Sequence, residues 1–570
     1  MPGSTRHPRS ATARLRLAVA LAAGVLTLAA PSARAQSLAD TARVRRWRDD
    51  LSFVVDRVTT VHPRPFAFSK RAAFDSAAGA IERQIPSTDD AGLAIECMRM
   101  VAALGDGHTM LVGTFPALGF DAVLPLWLRP FEDGLYVGAA GPAAAGAAGA
   151  RVVSIGGVEA GQALDRVLAI ASGDNKYNRL DRAPLFFMMP AVLKALGLAT
   201  ARDRVAIEIE RAGGKREKLT IAAGPPPEGF PHAFLESEPV FPRGWTSARH
   251  FPAEGPPRCD LRPEEAWWYQ YLREYRVLYL RMARVEVVSG DLAYFELYRG
   301  LFGVADTEKP KALVIDLRHD HGGNNSILDP LIRGIVERPW LDREGALFAI
   351  VDRGTFSAAM NAAVFLENQT RVTFVGEPTG GRVNHYGDAP EVHTPNLKMM
   401  LQVSTLPWAG RFPSDERKWI APDIAVRSTF ADWSDGRDRA MEAVIDAVIR
   451  GSLATRMMAA ARQKGPEAGG AARDEWRKQH PNPWSEGLER RPQRYAGDLM
   501  DEGRPAEAAA MADVLVGVDP GSYLSWRTLG EARAALGERA RAVEALRRAL
   551  QINPRGETAR VMLERLGEKP

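Results

Sequence analysis

Three strongly apolar runs, Ala312-Leu-Val-Ile-Asp-Leu317, Leu347-Phe-Ala-Ile-Val351 and Val372-Thr-Phe-Val375, constrain this chain more than any other feature. Helical patterns at about 326 to 337 and 357 to 368 separate them, and Arg276-Val-Leu-Tyr-Leu-Arg281 opens the unit. Strand, helix, strand, helix, strand predicts a parallel sheet with right-handed crossovers. Each run is followed at once by a small-residue loop: His319-Asp-His-Gly-Gly-Asn-Asn325, Asp352-Arg-Gly-Thr-Phe-Ser357 and Gly376-Glu-Pro-Thr-Gly-Gly-Arg382. Parallel strands bring all three loops out at one carboxyl edge, where ligand sites in such sheets form.

Ser357 begins the second helical pattern, which places its hydroxyl beside unpaired backbone N–H groups. Serine is also a frequent plain N-cap, and position alone leaves both roles open. Gly322 and Gly323 on the neighbouring loop offer backbone N–H donors for an oxyanion. A hydroxyl needs a base before it attacks at neutral pH. The glycine-flanked His108 in Leu104-Gly-Asp-Gly-His-Thr-Met110 is the first candidate, with His319, His321 and His385 competing from the cleft loops.

Four motifs in order carry a resemblance: Gly105-Asp-Gly-His-Thr109, Val314-Ile-Asp-Leu-Arg318 with Gly322-Gly323, Thr355-Phe-Ser-Ala-Ala359, and Gly376-Glu-Pro-Thr-Gly-Gly381. Over about Trp47 to Ile445 the chain resembles the carboxyl-terminal processing and tricorn-like serine peptidases. That resemblance implies a ClpP/crotonase-like catalytic core, a PDZ-like module ahead of it, and Ser357 as nucleophile. It also implies an oxyanion hole from the N–H of Ala358 and the Gly322-Gly323 region. One branch of the family activates its serine with a Lys after the third strand, and the other with a distant His. Residues 376–388 contain Arg382 and no Lys, and a guanidinium that stays protonated cannot act as base. His108 is therefore the expected base. The tricorn-like branch adds a downstream carboxylate, for which Asp415 and Glu416 are the candidates, to hold the imidazole in its tautomer. Asp106 reads as a turn residue.

The fold class expected is a multi-domain α/β protein. Helical spacing of Trp47, Leu51, Val54 and Val58, and of Leu93, Met98 and Val101, gives a helical domain over 36–112. Short alternating runs give the β-rich, PDZ-like module over 113–224, and a Pro-rich connection over 225–264 leads to the catalytic domain over 265–450. Gly, Pro and charge enrichment marks 451–490 as a linker, behind which the catalytic unit is expected to fold without the tail. The tail, 491–570, matches tetratricopeptide repeats: Trp526, Leu529, Gly530, Gly537, Ala542, Leu546, Ala549 and Pro554 stand at the expected offsets. Gly503, Ala508 and Pro520 repeat the pattern 34 residues earlier, and a closing helix is expected near 556 to 566.

Arg6, Arg9, Arg14 and Arg16, an uncharged apolar run from Leu17 to Ala30, and Ala33-Arg-Ala35 before Gln36 make a cleavable export signal over 1–35. The run falls short of the roughly 20 residues that span a bilayer, and no transmembrane segment is expected after cleavage. Without the five signal arginines, 69 basic groups stand against 70 acidic ones. A near-neutral mature chain argues against a nucleic-acid partner. Cys97 and Cys259 are the only cysteines, which rules out a disulfide framework and a thiolate metal cage. No cofactor or metal is implied. The function expected is exported, periplasmic or extracellular peptide-bond hydrolysis, with a peptide or protein substrate and a protein partner for the tail. The alternatives are a non-catalytic peptide or lipophilic-ligand binder and a small-molecule esterase or amidase.

Overall fold

The computed structural model describes residues 30–112, 122–227, 230, 241–252, 255–286, 293–410, 412–484 and 489–570. Most of the expected export signal lies outside them. Among the described residues no helix is long and apolar enough to cross a membrane.

The described residues open with three helices, α1 (Ala30–Val61), α2 (Arg71–Gln84) and α3 (Asp90–Ala102), and a short strand β1 (Met110–Val112). Strands β2 (Leu126–Phe131), β3 (Gly134–Ala140), β4 (Arg151–Ile155) and β5 (Val158–Glu159) follow, then helices α4 (Ala160–Leu168), α5 (Lys176–Phe187) and α6 (Pro190–Ala195). Strands β6 (Arg204–Glu210), β7 (Arg216–Ala222) and β8 (Thr246–Ser247) complete this part, an antiparallel sheet of order β2-β3-β4-β6-β7. It occupies the place where the β-rich module is expected. The helical unit ahead of it is not a separate body, because Trp47, Val54, Leu93 and Met98 share one core with Leu126, Val137, Ile155 and Ile207.

The second half contains β9 (Trp267–Leu272), β10 (Val277–Met282), α7 (Ala293–Glu308), β11 (Ala312–Asp316), α8 (Asp329–Val336), β12 (Leu347–Val351), α9 (Ala358–Gln369) and β13 (Thr373–Gly376). Short strands β14 (His385–Gly387), β15 (Glu391–His393), β16 (Met400–Gln402), β17 (Leu406–Trp408) and β18 (Ile424–Ala425) precede α10 (Phe430–Ser434) and α11 (Arg439–Arg450). The main sheet has the order β18-β13-β12-β11-β10-β9. All its pairs are parallel except β9 with β10. Every residue of β10, β11, β12 and β13 is buried, as expected of strands covered on both faces. Leu278, Leu313, Leu347 and Ala349 face α7, α8 and α9. Their alternates Val277, Tyr279, Val314, Phe348 and Ile350 face the other way.

That second face overturns the expected linker. Residues 451–490 contain α12 (Leu453–Lys464) and α13 (Pro466–Gln479), followed by α14 (Arg490–Asp501), α15 (Pro505–Val518), α16 (Tyr523–Ala535), α17 (Arg539–Ile552) and α18 (Glu557–Arg565). Leu453, Met457, Trp476, Leu499, Met511 and Leu515 join the core over Val314 and Phe348. The composition misled for a physical reason. Pro466 sits in the first turn of α13, where its missing N–H costs nothing, and Gly469 lets α13 approach Val514, whose side chain a Cβ would meet at 2.7 Å. The repeat pattern itself corresponds to two helix pairs, α14 with α15 and α16 with α17, closed by α18. Gly503 and Gly537 end the first helix of each pair at φ +70° and +78°, where glycine is favoured.

Candidate active site

Ser357 lies between β12 and α9 with φ 53° and ψ −123°. A side chain pays for such a backbone unless its surroundings fix it, and residues of this kind cluster at functional sites. Here the preceding turn is tied down. Thr355 Oγ1 donates to the Leu317 carbonyl at 2.8 Å, Gly354 N–H donates to Asp352 at 3.0 Å, and Phe356 N–H donates to the Asp320 carbonyl at 3.0 Å. The plain N-cap is set aside, since the Ser357 hydroxyl makes no capping bond. It stands instead 2.9 Å from His108 Nε2, a residue 249 positions upstream.

Two features bring His108 there. Strand β1 pairs with β16 in antiparallel register, Leu111 opposite Leu401, which fastens the amino-terminal unit to the loops of the main sheet. Asp106 then shapes the turn. It accepts from His108 N–H at 3.0 Å and from the Ser404 hydroxyl at 2.7 Å, and it also meets His62 Nε2 at 3.0 Å. Burial opposes the Asp106 charge, yet these bonds and the neighbouring His108 hold its carboxyl down at about 2. Asp106 is thus the turn residue expected, while His62 and Ser404 carried no motif and were missed. The Phe356 ring stacks on the His108 imidazole at 4.4 Å.

Burial, then the nearby His385, push the His108 imidazole down to about 3, against the opposing pull of Asp106. The ring is neutral at neutral pH, the form that can accept the serine proton. Two expectations follow from a folded pKa below the ordinary value of about 6.5. Fluorophosphonate labelling of the serine, followed across a pH series, is expected to keep its rate below about pH 6.5, because the base loses its lone pair only nearer its own lowered value. Stability, by contrast, declines over the same range. The unfolded chain binds the extra proton first, so unfolding free energy falls as pH drops from about 6.5 toward the folded pKa.

The glycine loop supplies one donor fewer than expected. Gly322 N–H is spent on Asp320 Oδ1 at 2.9 Å. Ala358 N–H is the first amide of α9 and has no intrahelical partner. Gly323 N–H meets no backbone acceptor among the described residues. Gly322 and Gly323 lie at φ +104° and +139°. A Cβ on Gly322 would fall 2.6 Å from Ala358 N, so the two loops meet only through glycine. Burial raises the Asp320 carboxyl to about 7, against the pull of Gly322 N–H.

Of the competing histidines, two are engaged elsewhere and His385 stays in the site, its ring stacked 5.8 Å from that of His108. His319 Nδ1 lies 2.8 Å from Asp352, His321 Nε2 lies 2.9 Å from Asp181, and His385 Nδ1 lies 3.2 Å from the Arg382 carbonyl. The Arg382 guanidinium lies 4.0 Å over the Phe68 ring. Asp415 and Glu416 do not orient His108. Both Asp415 oxygens accept from Arg417 and Glu416 is exposed. His108 Nδ1 is buried and meets no carboxylate, and the Tyr386 main chain acts on the ring without a hydrogen bond of normal geometry. Cys97 and Cys259 are both buried free thiols.

No family model matches the chain, and no curated protein matches it. Among solved structures it is similar to mature CPAF complexed with lactacystin, with a TM-score of 0.50 and 13% identity over 72% of this chain and 100% of that one. The tricorn protease (TM-score 0.33, 14% identity, 71% of this chain and 37% of that one) and the photosystem II D1 C-terminal processing protease (TM-score 0.31, 14% identity, 71% and 97%) are also similar. At this identity the likeness to CPAF is one of fold, and the CPAF fold accounts for 72% of the chain.

Proposed function

We propose that the chain is an exported serine-type peptidase. The Ser357 hydroxyl attacks a peptide carbonyl while His108 Nε2 takes its proton, and the oxyanion forms against the N–H groups of Ala358 and Gly323. His108 returns the proton to the leaving amine, and water then releases the acyl group from Ser357 by the same path in reverse. The observation that carries this reading is the 2.9 Å contact between Ser357 and a half-buried His108, made by a serine whose backbone strain serves no cap. Export rests on the tripartite pattern of residues 1–35, and the outer helices of the tail are proposed to receive a protein partner.

The experiment is digestion of an unfolded protein, read as new amino termini. Cleavage by the parent chain that disappears in Ser357→Ala is the expected result. Cleavage that survives in a folded Ser357→Ala overturns the reading. A parent chain that neither cleaves nor takes a fluorophosphonate label is instead a binder on the same fold.

A further inference from the structure

His108 lacks what usually aims a catalytic imidazole. No carboxylate meets its Nδ1, and Asp106, the nearest acidic residue in sequence, bonds the His108 main chain rather than the ring. The Tyr386 main chain and the Phe356 ring touch the imidazole without fixing its direction by a hydrogen bond of normal geometry, so the backbone that carries it has to be held, because proton transfer tolerates little misplacement.

The main chain one residue earlier is held on both sides. Gly107 N–H donates to Asp174 Oδ1 at 2.6 Å, and the Gly107 carbonyl accepts from Arg182 at 2.9 Å. Gly107 has no room to shift, since a Cβ there would lie 2.8 Å from the Phe356 ring and 2.9 Å from Asn178 Oδ1. Asp174 Oδ2 accepts from Arg382 N–H at 3.0 Å, tying the turn to the loop after β13. Arg182 also donates to the Ser172 carbonyl at 2.7 Å and lies 5.2 Å over Phe356, the residue before the serine. Asn175, next to Asp174, donates to the carbonyls of Thr379 at 3.1 Å and Gly380 at 2.9 Å. One short segment around the start of α5 therefore touches the histidine turn, the nucleophile turn and the third loop. Asp174 is buried, which raises its carboxyl above the ordinary value, and its two oxygens accept from two amides at once, so its position is fixed from both sides.

We propose that Asp174 is a positioning residue for His108: with Arg182 it clamps the Gly107 main chain and so aims the imidazole at Ser357, in place of a carboxylate on the ring. This rests on the Ser357 and His108 reading above.

The test is the kinetics of fluorophosphonate inactivation, separated into the maximal rate kinact and the half-saturating concentration KI. Asp174→Ala is expected to lower kinact by about 10²-fold while KI stays within about twofold, because aim and not probe binding is lost. Asp174→Asn keeps one carbonyl acceptor for Gly107 N–H and is expected to recover most of the rate, which a purely structural role does not predict. Thermal unfolding reports whether each variant folds. Parental kinact in folded Asp174→Ala, or equal losses in the Ala and Asn variants, overturns the proposal. If Asp174→Ala does not fold, Arg182→Gln frees the Gly107 carbonyl and carries the same expectation and the same refutation. Ser357→Ala keeps the two questions apart. If it still labels at the parental rate, the serine reading fails. If it is silent while Asp174→Ala labels normally, only the clamp fails.

Discussion

Alanine at His108 is expected to slow fluorophosphonate labelling of Ser357 by about 10²- to 10⁴-fold, the range that general-base assistance supplies. Ser357→Ala is expected to abolish labelling and cleavage outright. The two losses should not add. Both remove parts of one proton-transfer unit joined by the 2.9 Å contact, so peptide cleavage by the double variant should match that by Ser357→Ala. His108 also packs on Phe356 at 4.4 Å, and a glutamine variant separates lost packing from lost basicity. His108→Gln fills most of the space without a titrating nitrogen and is expected to be as slow as His108→Ala. Labelling at the parental rate in folded His108→Gln would move the base to another group and leave the nucleophile assignment intact.

Cutting the chain after Arg450 is expected to abolish cooperative unfolding, measured as the thermal or urea transition of the shortened protein. The cut strips Leu453, Met457, Trp476, Leu499, Met511 and Leu515 from the core that covers Val314, Phe348 and Ile350. It also removes cations from buried carboxylates. Arg491 pairs with Glu344 with both side chains at least 96% buried, and Arg490 pairs with Asp423 at 2.5 Å. Leaving one such carboxylate without its partner costs about 3–5 kcal/mol, a large share of the roughly 5–15 kcal/mol by which a domain is stable. A shortened protein with a sharp, parental transition would show that the tail only decorates the core.

The strands legible in the sequence share one property, burial on both faces. Strands β11, β12 and β13 were readable because helices on either side demand uninterrupted apolar runs, and the loops after them follow from parallel pairing. The 34-residue repeat was readable because the same small residues recur where helices touch, as at Gly530, which packs against Leu546. Residues 451–490 were not readable as helices, since Pro466 and Gly469 mean different things at a helix start and at a close contact than in a linker. In the site, Ser357, His108 and the glycines stand in local motifs. Asp174, Arg182, His62 and Ser404 act through contacts between distant parts of the chain, which leave no spacing to read. Asp415 and Glu416 were misassigned for the converse reason: nearness in sequence to a family pattern says nothing about Arg417, which takes the Asp415 carboxylate.

Every step proposed for the site depends on the Ser357 hydroxyl being the nucleophile. Treating the folded chain with a fluorophosphonate and mapping the modified residue by peptide mass spectrometry tests it most directly. A single adduct on the peptide containing Ser357, absent from Ser357→Ala, is the expected result. An adduct on another residue, or none on folded protein at neutral pH, would contradict it.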